Sequence, residues 1–229
     1  MTSRLSDILQ QGVLRAAIHT SNRALVQVQG DVLKGVSPAL AERLARELRV
    51  SLRPVVYNGA GAVVADAGKD IWDIAFLAID PMRANSISFT RPYVVIEATY
   101  ATRADSPFQD VADVDRKNVT VLTSAGSAHD LYLSKTLCHA QLERADKSPP
   151  SLEQFRNGRG DVVSGVRESL QREFGNDDAF RILPGVLTNV EQAMVLPGAA
   201  NPLISELDAF VARAIDDGFV ARHLNREGK

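Results

Sequence analysis

At 229 residues the chain is long enough for one large domain or for two lobes of about 100 residues each. Its 45% hydrophobic and 24% charged residues, with a formal net charge of −2, exclude a disordered chain, and no basic stripe argues for nucleic acid. A single cysteine, Cys138, excludes an internal disulfide and a cysteine-rich metal site.

The opening MTSRLSDILQQGVLRAAIH lacks the apolar core and small-residue cleavage site of a secretory signal, and no run approaches the roughly 18 apolar residues of a membrane span. Residues 6–11 read as a short amphipathic helix ended by Gly12, and 13–19 as the first strand. Gly30-Asp31 marks a turn between two extended pieces. Ser37 as N-cap and Pro38 at the first helical position open a helix with Leu40, Ala41, Leu44, Ala45 and Leu48 as its apolar stripe. Residues 52–57 form a second strand. Asn58-Gly59-Ala60-Gly61 then breaks the chain before a weak helix through Lys69; it lacks the third glycine and downstream acid of a dinucleotide fingerprint.

The stretch from Trp72 to Tyr93, WDIAFLAIDPMRANSISFTRPY, is the one around which the rest of the chain is organised. Its apolar run 74–79 has the length and composition of a strand buried on both faces. Asp80-Pro81 ends that strand, since proline offers no N–H and biases the preceding residue away from helix. Arg83 thus sits just past the C-terminal end of a parallel strand, where open α/β sheets bind ligands, and a guanidinium suits a carboxylate there. Alternatively, Arg83 caps a helix or pairs with a surface acid.

Residues 93–103, YVVIEATYATR, form a long β-rich run, succeeded by a short helix at 111–115 and a strand at 118–123. Ala125-Gly126-Ser127-Ala128 leads into a helix reaching about Cys138, which places that cysteine on it as a small buried residue. A strand at 140–144, a helix at 151–157, a turn at 158–161 and a strand from Val162 come next. Residues 167–174 read as helix, 180–183 as strand and 190–196 as strand ending at Pro197-Gly198. A last long helix from Asn201-Pro202 turns Leu203, Leu207, Phe210, Val211, Ala214 and Ile215 to one face. Asp217-Gly218 closes it, and 219–224 is a final helix.

The buried strand succeeded by Asp80-Pro81-Met82-Arg83 and by Phe89-Thr90-Arg91-Pro92-Tyr93 resembles the signature of the type-2 periplasmic solute-binding proteins, the family-3 amino-acid receptors. The order of elements is similar over essentially the whole chain. The resemblance implies an α/β, periplasmic-binding-protein-like type 2 fold: two α/β lobes joined by two crossing strands near 101–104 and 189–193, with a ligand cleft between them. Lobe 1 would be discontinuous, 1–102 with 191–229, and lobe 2 would be 103–190. It further implies a monomer without a cofactor or metal, which binds a small carboxylate-bearing ligand by cleft closure and serves an ABC transporter permease. The implied location is the periplasm; since this N-terminus shows no signal, either a leader was replaced by the starting methionine or the chain is a cytoplasmic relative.

Carried over residue by residue, the resemblance makes Arg83 the holder of the ligand carboxylate. Gly126, Ser127 and Ala128 become a helix start that meets the same group through its unpaired N–H groups. The pattern departs elsewhere. A first-loop acid is replaced by His19 and a ligand-covering aromatic by Asn22; a hydroxyl position is Ala78, and a threonine gives way to Asp80. The second-lobe acid that would take an ammonium is missing near Gly165 and Val166, with Arg167 beside it as a candidate second positive centre. Asp80 or Glu97 then either replaces that acid or, for Asp80, pairs with Arg83. His19 either contacts ligand or satisfies a neighbouring carbonyl. The expected ligand is a small carboxylate, a dicarboxylate or an unusual amino acid.

The same fold includes an enzyme branch resembling cyclohexadienyl dehydratase, in which Glu168 would be the catalytic carboxyl. Arg167 and Arg172 beside it oppose the raised pKa such a role needs.

Overall fold

The computed structural model describes Leu5 and residues 12–145 and 150–224; the helix expected at 6–11 lies outside the described residues. In chain order the elements are β1 (Val13–His19), β2 (Gln27–Gln29), β3 (Val32–Lys34), α1 (Val36–Leu48), β4 (Ser51–Tyr57), α2 (Ala60–Ala65), β5 (Ile74–Ala78), β6 (Ile87–Arg103), β7 (Thr120–Ser124), α3 (Ala128–Thr136), β8 (Gln141–Ala145), α4 (Ser151–Arg156), β9 (Val162–Val166), α5 (Arg167–Phe174), β10 (Phe180–Ile182), β11 (Thr188–Pro197), α6 (Ile204–Asp216) and α7 (Phe219–Leu224). Single 3-10 turns sit at Arg83–Asn85 and Val111–Asp113. The fold is mixed α/β. Two compact units divide it, Met1–Val95 with Glu191–Lys229 and Ile96–Val190. Among the described residues no helix is long and apolar enough to cross a membrane.

In the first unit the strand order is β4-β1-β5-β11-β6, with β4, β1 and β5 parallel and β11 antiparallel to β5. All five residues of β5 are buried, as its unbroken apolar sequence requires when both faces are covered. One face packs Ala17, Ala75, Leu77 and Val195 against Val63, Ala67 and Trp72 from α2 and the segment after it. Pro92 lies within β6, the last strand in this unit's order, where a proline is tolerated. The sequence reading started this strand only at Tyr93; it begins six residues earlier, at Ile87.

A buried ion pair fixes β1 against β5. Arg15, 5% exposed in the middle of β1, donates from Nε and Nη2 to the carboxylate of Asp73, 3% exposed, at 2.6–3.2 Å. The Arg15 backbone N–H also reaches Asp73 Oδ2 at 2.7 Å, and its guanidinium donates to the carbonyl and carboxylate of Asp70 at 2.6 Å. With the fork directed at oxygens on both sides, these charge-assisted bonds offset the cost of desolvating the guanidinium.

Helix α1 begins at Val36 with Gly35, not Ser37, as its N-cap. Gly35 has φ 110°, and a Cβ on it would stand 2.3 Å from the Leu25 carbonyl oxygen, so only glycine fits. Ser37 lies instead in the first turn, buried, with its hydroxyl 3.0 Å from that of Tyr93. Leu40, Ala41, Leu44 and Ala45 are buried as expected, whereas Leu48 at the helix end is only half-buried. Likewise Leu207, Phe210, Val211 and Ala214 of α6 face the core, but Ile215 is exposed.

In the second unit the order is β6-β9-β7-β8, antiparallel between β6 and β9 and parallel thereafter, with β10 also paired to β6. Neighbouring residues enter opposite cores: Val121 and Val162 join Tyr100, Val114 and Leu133, while Leu122 and Val163 join Phe155, Leu170 and Phe174. The period of two along each strand produces this division. Phe155, Phe174 and Phe180 form an aromatic cluster with centroids 4.8–5.8 Å apart. Cys138 is exposed and lies beyond α3, contrary to the sequence reading. The reason is Asp115, whose carboxylate accepts the N–H groups of Cys138, His139 and Ala140 at 2.7–2.9 Å and draws the chain off the helix axis.

Candidate functional site

In the first unit the parallel strands β1 and β5 deliver their C-terminal ends side by side, and five of the residues singled out in the sequence lie at or just beyond those ends. Proline stops β5, and the chain then winds into the short turn carrying Arg83. The Asp80 carbonyl accepts the N–H groups of Arg83 and Ala84 at 3.0 and 3.2 Å, and Asp80 Oδ1 accepts that of Met82 at 2.8 Å. Asp80 is therefore engaged in building the turn, and its charge also supports the Arg83 guanidinium.

Arg83 is 4% exposed, and its Nη1 donates to the Ala78 carbonyl at 2.9 Å. Ala78 thus meets Arg83 through its backbone carbonyl. Burial lowers the Arg83 pKa from its ordinary value, and the Asp80 charge opposes that shift.

His19 closes β1 and is buried, with Nδ1 2.8 Å from Ser21 Oγ. Burial, and then the Arg83 charge, push its pKa down to about 4, so the imidazole is neutral at pH 7. Within its own loop His19 thus meets the Ser21 hydroxyl.

Asn22 lies in the same loop, where its backbone carbonyl accepts the N–H groups of Leu25 and Val26. The residue is 6% exposed, and among the described residues its side-chain Oδ1 has no hydrogen-bond partner. His19 and Asn22 line a narrow crevice with Ser37, Phe76, Tyr93 and Gln192. The reading from sequence did not anticipate Ser37, Tyr93 or Gln192 there. Gln192, a polar residue inside the apolar run of β11, carried a signal.

In the second unit Ser127 is the N-cap of α3, its Oγ accepting the Asp130 N–H at 3.1 Å. Gly126 adopts φ 71° and donates its N–H to Asp130 Oδ2 at 2.8 Å. Asp130 is buried and ion-paired with Arg144 at 3.1 Å, so part of this helix start is committed to an internal carboxylate that the sequence reading overlooked. Ala128 opens the helix proper.

Arg167, read as a second positive centre, donates from Nε to Glu97 at 2.8 Å and from Nη2 to the Gly185 carbonyl. That pair also occupies Glu97, one of the two acids considered as partners for an ammonium. Glu168 lies exposed in the first turn of α5, without the burial that a catalytic carboxyl requires.

The family described as bacterial extracellular solute-binding proteins, family 3, matches residues 14–226. Solved structures share the fold at low identity. ArgBP from T. maritima, as its P235GK mutant, is 19% identical with a TM-score of 0.83, covering 97% of each chain. The cysteine-binding protein from Campylobacter jejuni is 22% identical with a TM-score of 0.83, covering 99% of this chain and 93% of its own. The ancestral amino acid-binding protein AncCDT-1, a precursor of cyclohexadienyl dehydratase, is 17% identical with a TM-score of 0.83 over 99% of this chain and 100% of its own. No curated protein sequence matches.

Proposed function

The chain belongs to the bacterial extracellular solute-binding proteins of family 3, and from that membership we propose that it captures a small carboxylate-bearing solute for an ABC-type uptake system, working in the periplasm. Arg83 is the anchor. The observation that carries this reading is a guanidinium held 4% exposed at the C-terminal ends of two parallel strands, where one N–H fixes it to the Ala78 carbonyl. A desolvated positive charge in such a place attracts an anion strongly, and a carboxylate matches the fork geometry. Amino-acid-binding proteins of the same fold support a solute of this size. In the second unit, the amide groups at the start of α3 are a further element suited to an anion.

The test is titration calorimetry, backed by thermal shift, over amino acids, dicarboxylates and aromatic acids. A true ligand gives saturable stabilisation without turnover, about 2.7 kcal/mol at a hundredfold excess over Kd. Arg83→Met removes a charge-assisted bond and should weaken binding by roughly 10- to 100-fold. Unchanged affinity in that variant refutes the assignment of Arg83.

A further inference from the structure

We infer that Asn58 is a site of spontaneous modification: the Gly59 backbone nitrogen attacks its side-chain amide, and the residue becomes aspartate and isoaspartate faster than Asn157 or Asn85 does in the folded chain. The inference stands apart from the identity of the solute.

The sequence selects these three asparagines. The reaction brings the backbone nitrogen of the next residue onto the side-chain Cγ, and a small next residue leaves that approach open. Glycine comes after Asn58 and Asn157, and serine after Asn85. All three asparagines are exposed, so exposure does not separate them.

The state of the attacking nitrogen does. Gly158 donates its N–H to the Phe155 carbonyl at 3.0 Å, and Ser86 donates its own to the Arg83 carbonyl at 2.9 Å. Each bond must open before its nitrogen can attack. Asn157 is held as well, its N–H on the Glu153 carbonyl at 3.0 Å. At the other site the pairing of β1 with β4 runs as far as His19 and Tyr57, where the Tyr57 carbonyl accepts the Thr20 N–H at 2.9 Å. Past that point, among the described residues, the Gly59 N–H has no hydrogen-bond acceptor and the Asn58 side chain has no partner. Water alone covers both reacting groups.

In the reaction the Gly59 nitrogen gives up its proton to hydroxide and forms a bond to Asn58 Cγ. The bond from Cγ to the side-chain nitrogen breaks, and ammonia leaves a cyclic imide behind. Water then adds to either imide carbonyl: opening at one C–N bond gives aspartate, and opening at the other gives isoaspartate. No oxidant or reductant takes part. Both products add a carboxylate to a chain of formal net charge −2. They place it just past the C-terminal end of β4, beside the end of β1 that carries His19.

The experiment incubates the full chain at mildly alkaline pH, folded and in guanidinium chloride, and follows each asparagine by peptide mapping and mass spectrometry. In the folded chain Asn58 should convert roughly 3- to 10-fold faster than Asn157, the range set by one hydrogen bond. In denaturant the two rates should converge, since glycine comes next at both. Gly59→Ala should slow conversion at Asn58 severalfold while the urea midpoint stays where it was. The backbone there is extended, with φ −166°, and a Cβ would meet nothing within 4 Å. Equal rates at Asn58 and Asn157 in the folded chain overturn the inference, as does an Asn58 that stays intact when folded. Unslowed conversion in Gly59→Ala overturns it too, because the Gly59 nitrogen is then not the attacking group.

Discussion

Replacing His19 with glutamine should remove a pH dependence of stability that the native protein owes to one buried ring. The imidazole is enclosed at the end of β1, and burial, aided by the Arg83 charge, lowers its pKa to about 4 from an ordinary 6.5. In that interval the unfolded chain takes up a proton at His19 that the folded chain refuses. The contribution to folding stability is then fully present above pH 6.5 and declines as pH falls, at up to about 1.4 kcal/mol per pH unit, levelling off below about pH 4. The accumulated loss is on the order of 3 kcal/mol. Urea unfolding of wild type and His19→Gln at several values between pH 7.5 and 4 measures it, because other groups cancel in the difference between the two proteins. The expected result is a gap between them that shifts against the wild type by about 3 kcal/mol on acidification. Parallel stability curves across the range would refute the claim that His19 is buried as the neutral ring.

Two further perturbations address the scaffold. Asp73→Ala leaves Arg15 buried with much of its fork unpaired, and should cost about 3–5 kcal/mol by urea midpoint, whereas breaking an exposed pair such as Arg116–Asp113 should cost under about 1 kcal/mol. Gly35→Ala drives a Cβ to 2.3 Å from the Leu25 carbonyl at φ 110°, and should lower stability by at least about 1–3 kcal/mol in the same assay; an unchanged midpoint would mean the backbone there relaxes freely.

Much of the architecture was legible because local patterns coincide with tertiary demands. The run at 74–79 had to be a doubly covered strand, and α1 and α6 carry clean stripes. What escaped depended on partners remote in sequence. Ser37 looked like a cap until Gly35 took that role and Tyr93 met its hydroxyl, and Cys138 looked helical until Asp115, far upstream, captured its amide and the next two. The same limit applies at the site. Arg83, Asp80 and His19 stood out as residues at strand ends, but the engagement of Arg167 by Glu97 spans 70 positions and has no local signature. Asn22 was visible only as a departure from an aromatic; that its Oδ1 lacks a partner among the described residues follows from burial and needs coordinates.

The alternation in β7 and β9 constrains how this chain can change its length. Val121 and Leu122, adjacent in sequence, serve different hydrophobic clusters on the two sides of the sheet. Deleting one residue anywhere in β7 would trade the membership of both clusters at once, misplacing every side chain downstream in the strand. Insertions and deletions among related sequences should therefore collect in the connecting turns of this unit and spare its central strands, a pattern that an alignment of homologues would display directly.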